Sequence, residues 1–324
     1  MDWNGARWKP GDKEGHYESW FLRANDAADR AFWIRYTIFA PAGRPEAALG
    51  ELWAIWFERG KRIVAAKTEL PLAKCSFASD RLAVKVGDAS LDGTTLRGET
   101  SAHGHTLAWD LQYSDGKPPL LFLPEKLYTT KLPRAKTLVA RPLAKFAGTI
   151  TVDGEPISID RWVGSQNHNW GSRHTDRYAW GQVAGFDEAP DAFLECSTAR
   201  LKFGPVWTPP ISPVVLHLGD DKLAWNGLTR AIRALGAYAP YQWHLETTDK
   251  QGTIDIRIEA ETDEFVALRY KNPPGGEKIC LNSKIARCEV TLRRPGKPVL
   301  VLHSKRAAFE ILDDTAPAGV TPVV

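Results

Sequence analysis

Residues 30–39 read Arg-Ala-Phe-Trp-Ile-Arg-Tyr-Thr-Ile-Phe, a stretch with a period of two. Phe32, Ile34, Tyr36 and Ile38 share one face, while Trp33, Arg35 and Thr37 take the other. Successive side chains of a strand point to opposite faces, so the stretch predicts β-structure. The rhythm returns downstream, where Ile254, Ile256 and Ile258 alternate with Asp255, Arg257 and Glu259. Strand patterns also fit Tyr17–Arg23, Glu51–Arg59, Arg62–Leu70, Thr106–Tyr113, Phe146–Val152, Tyr178–Phe186, Ala192–Thr198, Tyr241–Thr247, Val266–Tyr270, Ala286–Leu292 and Val299–His303. Turn signals such as Asp92-Gly93, Asp153-Gly154 and Pro273–Gly276 separate them. Helix is scarce: Gly227–Leu235 is the best candidate, and it fits a short strand with a turn equally well. No βαβ rhythm appears, which argues against a doubly wound parallel sheet. Many antiparallel strands must each bury a face, and closing them into barrels leaves no sheet edge open. The expected fold is all-β, with two consecutive antiparallel barrels and little helix.

The stretch Pro118–Pro142 is rich in Pro and Lys and reads as a long connection, with strand pattern resuming at Phe146. A division at residue 160, plus or minus fifteen, follows, giving an N-terminal barrel over 1–160 and a C-terminal barrel over 161–324. The tail Pro317–Val324 reads as frayed.

The chain of 324 residues is 43% hydrophobic and 25% charged, a folded protein's balance that argues against disorder. No window approaches the roughly 20 apolar residues of a spanning helix, and the first residues show no apolar signal core. Cys75, Cys196, Cys280 and Cys288 are scattered and form no CxxC, so a reducing cytoplasm is expected. The net charge of +3 is spread along the chain, so no nucleic-acid partner is expected. GxSxG, Walker A, GxGxxG and HExxH are all missing, and no cofactor is expected. His103-Gly104-His105 puts two imidazoles on one side of a strand without a third ligand nearby, so no metal site is expected either. The outlying number is 13 Trp against a single Met. Large, stiff, semi-polar rings suit sheets and the walls of apolar pockets.

The densest signals lie in Gly164-Ser165-Gln166-Asn167-His168-Asn169-Trp170-Gly171 and in Tyr178–Asp187, followed by Phe193–Ser197. Tyr178, Trp180, Gln182, Ala184 and Phe186 share a face. Pointed inward, that face suits a cavity for an apolar ligand with one amide as anchor; alternatively the rings fill the barrel and Gln182 bonds backbone. Trp20 or Trp33 is the expected opposing wall, in a space shared between the two units. Glu195 shares a face with Phe193 and Ser197. If that face is inward, the carboxyl is desolvated, its pKa rises, and it can deliver a proton to an alkene. If it is outward, Glu195 is an ordinary solvated residue, and Leu194 and Cys196 make the opposite face the more apolar. His168 has two readings, a hydrogen-bonded pin with Asn169 and Trp170 where the chain crosses between units, or a ligand or proton-transfer group. Glu18, in the aromatic opening, reads as an ion-pair or interface residue or as part of the ligand site.

The run His168-Asn169-Trp170-Gly171, followed by the aromatic alternation through Phe186, resembles the central motif of a lipocalin-like superfamily that includes carotenoid 1,2-hydratases, AttH-type proteins and tocopherol cyclases. Glu18-Ser19-Trp20-Phe21-Leu22 with Phe32–Phe39 is similar to the opening of the same group. The sequence departs at Asn167, where AttH-type members carry Asp, and at Trp20-Phe21 in place of Trp-Trp. The resemblance implies two lipocalin-like barrels with activity on isoprenoid or other apolar molecules. Two functions follow as expectations. One is cofactor-free, acid-assisted hydration, cyclisation or isomerisation, with Glu195 or His168 supplying the proton and Trp faces stabilising a cation. The other is a lipid or pigment carrier. In both, the partner is an apolar small molecule, with transient membrane-surface contact, and Tyr178, Trp180, Gln182, Trp20, Trp33, Trp170, Glu18 and Asn169 form the expected ligand site.

Overall fold

The protein is described by a computed structural model covering residues 3–27 and 29–324. Its first sheet has 12 antiparallel strands. These are β1 (His16–Asn25), β2 (Arg30–Ala40), β3 (Leu49–Glu58), β4 (Val64–Pro71), β5 (Cys75–Phe77) and β6 (Ala83–Val86). They continue as β7 (Ala89–Asp92), β8 (Thr95–Ala102), β9 (His105–Ser114), β10 (Leu120–Leu121), β11 (Ala135–Val152) and β12 (Glu155–Gly171). The strand order is β4-β3-β2-β1-β12-β11-β9-β8-β7-β6-β5, with β10 on β11. The sheet curls until β4 meets β8, where the Thr68 and Thr100 hydroxyls hydrogen-bond at 2.8 Å. Trp20, Phe32, Tyr36, Trp56, Trp109 and Phe146 fill its interior.

The remaining strands are β13 (Arg177–Ala184), β14 (Phe193–Arg200), β15 (Lys202–Phe203), β16 (Val206–Trp207), β17 (Val214–Leu218) and β18 (Asp221–Ala224). After helix α1 (Leu228–Arg233) come β19 (Leu235–Ala239), β20 (Gln242–Asp249), β21 (Gly252–Glu259), β22 (Val266–Lys271), β23 (Glu277–Arg293) and β24 (Leu300–Asp313). The second sheet runs β18-β17-β14-β13-β24-β23-β21-β20-β19, with β22 on β23, while β15 and β16 pair separately. Its β19 edge curls back against β14. Gly236 of β19 approaches β14 so tightly that a Cβ would lie 2.3 Å from the Thr198 hydroxyl, which explains a glycine there. The indole N–H of Trp243 donates to the same hydroxyl at 3.0 Å. The architecture is two consecutive antiparallel barrels, and α1 is the one α-helix among the described residues. No helix there is long and apolar enough to cross a membrane.

Several sequence readings change. Strand pattern begins at Ala135, not Phe146, because register shifts that skip Ala140 and Leu143 let β11 run on through Arg141 and Pro142. The His168 motif is the end of β12, paired residue by residue with β1, just before the chain leaves the first sheet. The chain passes between the sheets after Gly171. His103 and Gly104 turn the chain between β8 and β9 with positive φ. The two imidazoles therefore do not share a strand face, and His105 instead bonds Asp153 at 2.7 Å. The final residues are paired, not frayed: Val323 N–H donates to the Ala267 carbonyl, and Arg269 N–H donates to that of Val324.

The barrels pack through their outer faces. Phe21, Trp33, Trp53 and Phe57 of the first sheet bury against Trp180, Leu268, Tyr270 and Ile285 of the second. β1, β2 and β3 are thus buried on both faces. Their alternation separates barrel interior from inter-barrel seam, not core from water.

Candidate functional site at the seam

On β13, Ala179 and Val183 point into the second barrel. Gly181 joins them, because a Cβ there would meet Ile258 at 2.4 Å. Trp180 and Gln182 consequently face outward, against the first sheet. This corrects the expected inward face: small residues line the barrel and large ones line the seam. Phe186 leaves that face altogether, since positive φ at Gly185 redirects the chain and its ring enters the second barrel core.

Gln182 is the hub. Its Oε1 accepts from Arg23 Nε at 2.9 Å and from Ser165 Oγ at 2.7 Å. Its Nε2 donates to Asn167 Oδ1 and to Glu195 Oε2, both at 2.8 Å. All of the amide's hydrogen-bonding capacity is used, by partners from β1, β12 and β14. Arg23 also donates to Asn25 and to the carbonyls of Gln182 and Arg306, so one buried guanidinium stitches both sheets.

Glu195 lies directly opposite Gln182 on β14. Its Oε1 accepts the Trp180 indole N–H at 2.7 Å. The carboxyl is buried, and desolvation raises its pKa to about 7 although Trp180, Gln182 and Arg23 pull it down. Near neutral pH it therefore holds a proton part of the time.

Along the seam, Lys284 of β23 is fully buried, donating to Asn282 at 2.5 Å and to Glu310 at 2.8 Å. Its ammonium sits 5.7 Å from the Trp33 ring and 5.5 Å from that of Trp180. Burial lowers its pKa, opposed by Glu310. Tyr178 reaches the same carboxylate at 3.4 Å. On the other side of Trp33, Arg35 lies 4.6 Å from the Tyr270 ring centre.

The other expected residues form a separate cluster. Glu18 accepts from the backbone N–H groups of Arg7 and Trp8, from His16 at 3.0 Å and from His168 Nε2 at 2.8 Å. Burial would raise its pKa, but the His16 and His168 bonds outweigh that and hold it at about 2. The other nitrogen of His168 meets the Trp3 carbonyl at 2.9 Å, and Trp20 stacks on the imidazole. Trp20 belongs to the first barrel core and is not a wall of the seam, whereas Trp33 is. Trp170 packs on Tyr128 beneath the Arg7 guanidinium, and Asn169 accepts from Thr137 at 2.6 Å. This cluster anchors the N-terminal segment across the mouth of the first barrel.

Sequence reasoning missed Arg23, Arg35, Lys284 and Glu310. Each has a visible signal, a charge in a strand stretch with no other, as in Ile279–Ala286 and Ala307–Leu312.

A pair of antiparallel barrels packed through their outer faces is a lipocalin-like architecture. Residues 128–312 match the tocopherol cyclase-like family, more than half of the chain, and the protein belongs to that family. Two uncharacterized proteins of Mycobacterium tuberculosis, MT0513 of strain CDC 1551 and Rv0493c of strain H37Rv, are each 25% identical over 322 residues, 98% of this chain and 90% of theirs. Among solved structures, an AttH candidate (NE1406) from Nitrosomonas europaea is similar with TM-score 0.61 and 14% identity, covering 97% of this chain and 98% of that one. CghA with Sch210972 is similar with TM-score 0.55 and 14% identity, covering 97% and 96%.

Proposed function

We propose that this protein is a hydratase- or cyclase-type enzyme acting on an apolar, isoprenoid- or polyketide-like molecule at the seam, with Glu195 as proton donor. The observation that carries the reading is the wholly buried Glu195 carboxyl, pushed to about 7 and held against Trp180 and Gln182. In the step envisaged, the Glu195 O–H bond breaks as an alkene π pair takes the proton, forming a C–H bond and a cation on the neighbouring carbon. The carboxylate left behind is met by the Trp180 and Gln182 N–H groups, already directed at its oxygens. The cation is favoured by nearby ring faces. A water oxygen then captures it in hydration, or a second nucleophile of the substrate does so in cyclisation, and the released proton returns to Glu195. Family membership and the CghA structure with Sch210972 support a small-molecule substrate. Free Cys75, Cys196, Cys280 and Cys288 support a reducing, cytoplasmic setting, and an apolar substrate would arrive through transient membrane-surface contact.

A carrier is the second reading, favoured by the full satisfaction of Gln182, which suits a structural pin. Incubation with polyprenyl and carotenoid alkenes in deuterated water, followed by mass spectrometry, separates the two. An enzyme incorporates deuterium at carbon, and Glu195→Gln lowers turnover about 10²–10⁴-fold. Bound alkenes recovered without label support the carrier.

A further inference from the structure

Two donors buried at the seam lack an acceptor. Arg35 Nε–H and Trp33 Nε1–H are shielded from solvent without a hydrogen-bond partner, in residues 7% and 1% exposed. Buried polar groups are rarely left so. They lie two residues apart on β2, hence on one face, and Trp33 packs in the seam. The Arg35 guanidinium carbon is 5.8 Å from the Trp33 ring centre, 5.9 Å from that of Trp53 and 4.6 Å from that of Tyr270. Its bond to Ser19 at 2.7 Å uses a different nitrogen. The carboxylates whose field reaches it are engaged elsewhere, Glu51 by Lys67 and Glu310 by Lys284.

A surface groove lies beyond Trp53. Lys67 lies 4.2 Å from the Trp53 ring centre and lines a groove of about 300 Å³ with Glu69, His103, Arg269 and Lys271. The groove is walled by β4 of one sheet and β22 of the other. Glu69 bridges it, pairing with Lys67 at 2.6 Å and Lys271 at 2.5 Å.

We propose that Arg35 and Trp33 recognise the anionic oxygen head of an otherwise apolar ligand, a carboxylate or an enolate, which enters by the Lys67–Lys271 groove. An acceptor there would satisfy a buried N–H that the protein leaves without a partner. A negative one would also compensate a guanidinium that contacts no carboxylate, while Trp53 and Tyr270 cover the apolar remainder. The inference rests on the seam being the ligand site, as proposed above, but not on the proton of Glu195.

The test uses parinaric acid, a polyene carboxylic acid whose fluorescence rises in apolar surroundings, and its methyl ester. Both are titrated into the native protein and into Arg35→Gln, Trp33→Phe and Glu195→Gln. The native protein should bind the acid about 10–100-fold more tightly than the ester, the range for a hydrogen bond to a charged group. Arg35→Gln should erase that preference and Trp33→Phe should reduce it. Glu195→Gln should keep it. Equal affinity for acid and ester in the native protein, or a preference that survives both seam variants, overturns the inference. No binding of either probe overturns it together with the seam as ligand site. A retained acid preference without alkene turnover counts only against the role of Glu195. If Arg35→Gln does not fold, judged by near-UV circular dichroism, Trp33→Phe decides, because it keeps a ring and removes only the N–H.

Discussion

Gln182 and Glu195 stand directly opposite each other across the β13–β14 pair, and the Gln182 amide donates to the Glu195 carboxyl at 2.8 Å. The same amide is bonded to Arg23, Ser165 and Asn167 of the other sheet. The Glu195 carboxyl is thereby tied to the inter-barrel contact itself. Replacing Gln182 with Leu keeps comparable bulk but strips partners from a buried guanidinium and a buried carboxyl. The expected loss is about 3–5 kcal/mol in urea unfolding, the range for breaking a buried charged network. A double-mutant cycle with Arg23→Met should show coupling, since the two side chains bond directly.

The pH dependence of stability carries the signature of Glu195. Its folded pKa, raised by burial to about 7, stands above the ordinary 4.5. Between those values the folded chain keeps a proton that the unfolded chain releases. The residue's contribution is therefore full below about pH 4.5 and declines as pH rises toward 7, by on the order of 3 kcal/mol. Urea midpoints taken from pH 4.5 to 8 should show that decline, and Glu195→Gln should flatten it.

Glu18 has the opposite sign. Burial acts to raise its pKa, but the His16 and His168 bonds hold it at about 2, below the ordinary 4.5. Its contribution is present above about pH 4.5 and is lost as pH falls toward 2, again on the order of 3 kcal/mol. Glu18→Gln should lose most of this at neutral pH and remove the corresponding acid limb. Limited proteolysis should then cut the N-terminal segment ahead of β1 faster, because the Arg7 and Trp8 N–H groups lose their charged acceptor.

Gly181→Ala tests which face of β13 is interior. A Cβ there would meet Ile258 at 2.4 Å and Trp243 at 2.9 Å inside the second barrel. Overpacking of this kind costs about 1–3 kcal/mol in thermal or urea unfolding. A neutral substitution would mean that position 181 does not face the packed interior.

Much of the molecule was legible in the chain. Period-two alternation in Arg30–Phe39 and Thr253–Ala260 marks strands because the pleat sends successive side chains to opposite sides, a rule of local geometry alone. The Glu18 and His168 motifs marked special places for the same reason: polar groups inside aromatic strands need partners. What alternation could not assign was which face is the inside. Alternation puts Trp180 and Gln182 on one face but leaves open whether it lines a barrel or a space between the units; the barrel is lined by Ala179, Gly181 and Val183. A strand whose two faces are both buried offers no wet side to orient it, and only the docking of the second sheet on the first supplies the answer.

The amino-acid sequence by itself determined the strands, their turns and the all-β class, since each depends on residues close in the chain. Tertiary structure alone decided that Arg23, Gln182 and Glu195 meet, and that Arg35 stands beside Tyr270. Those residues lie far apart in sequence, and their pairing depends on how two curved sheets, each packed to its own interior, present their outer faces to one another.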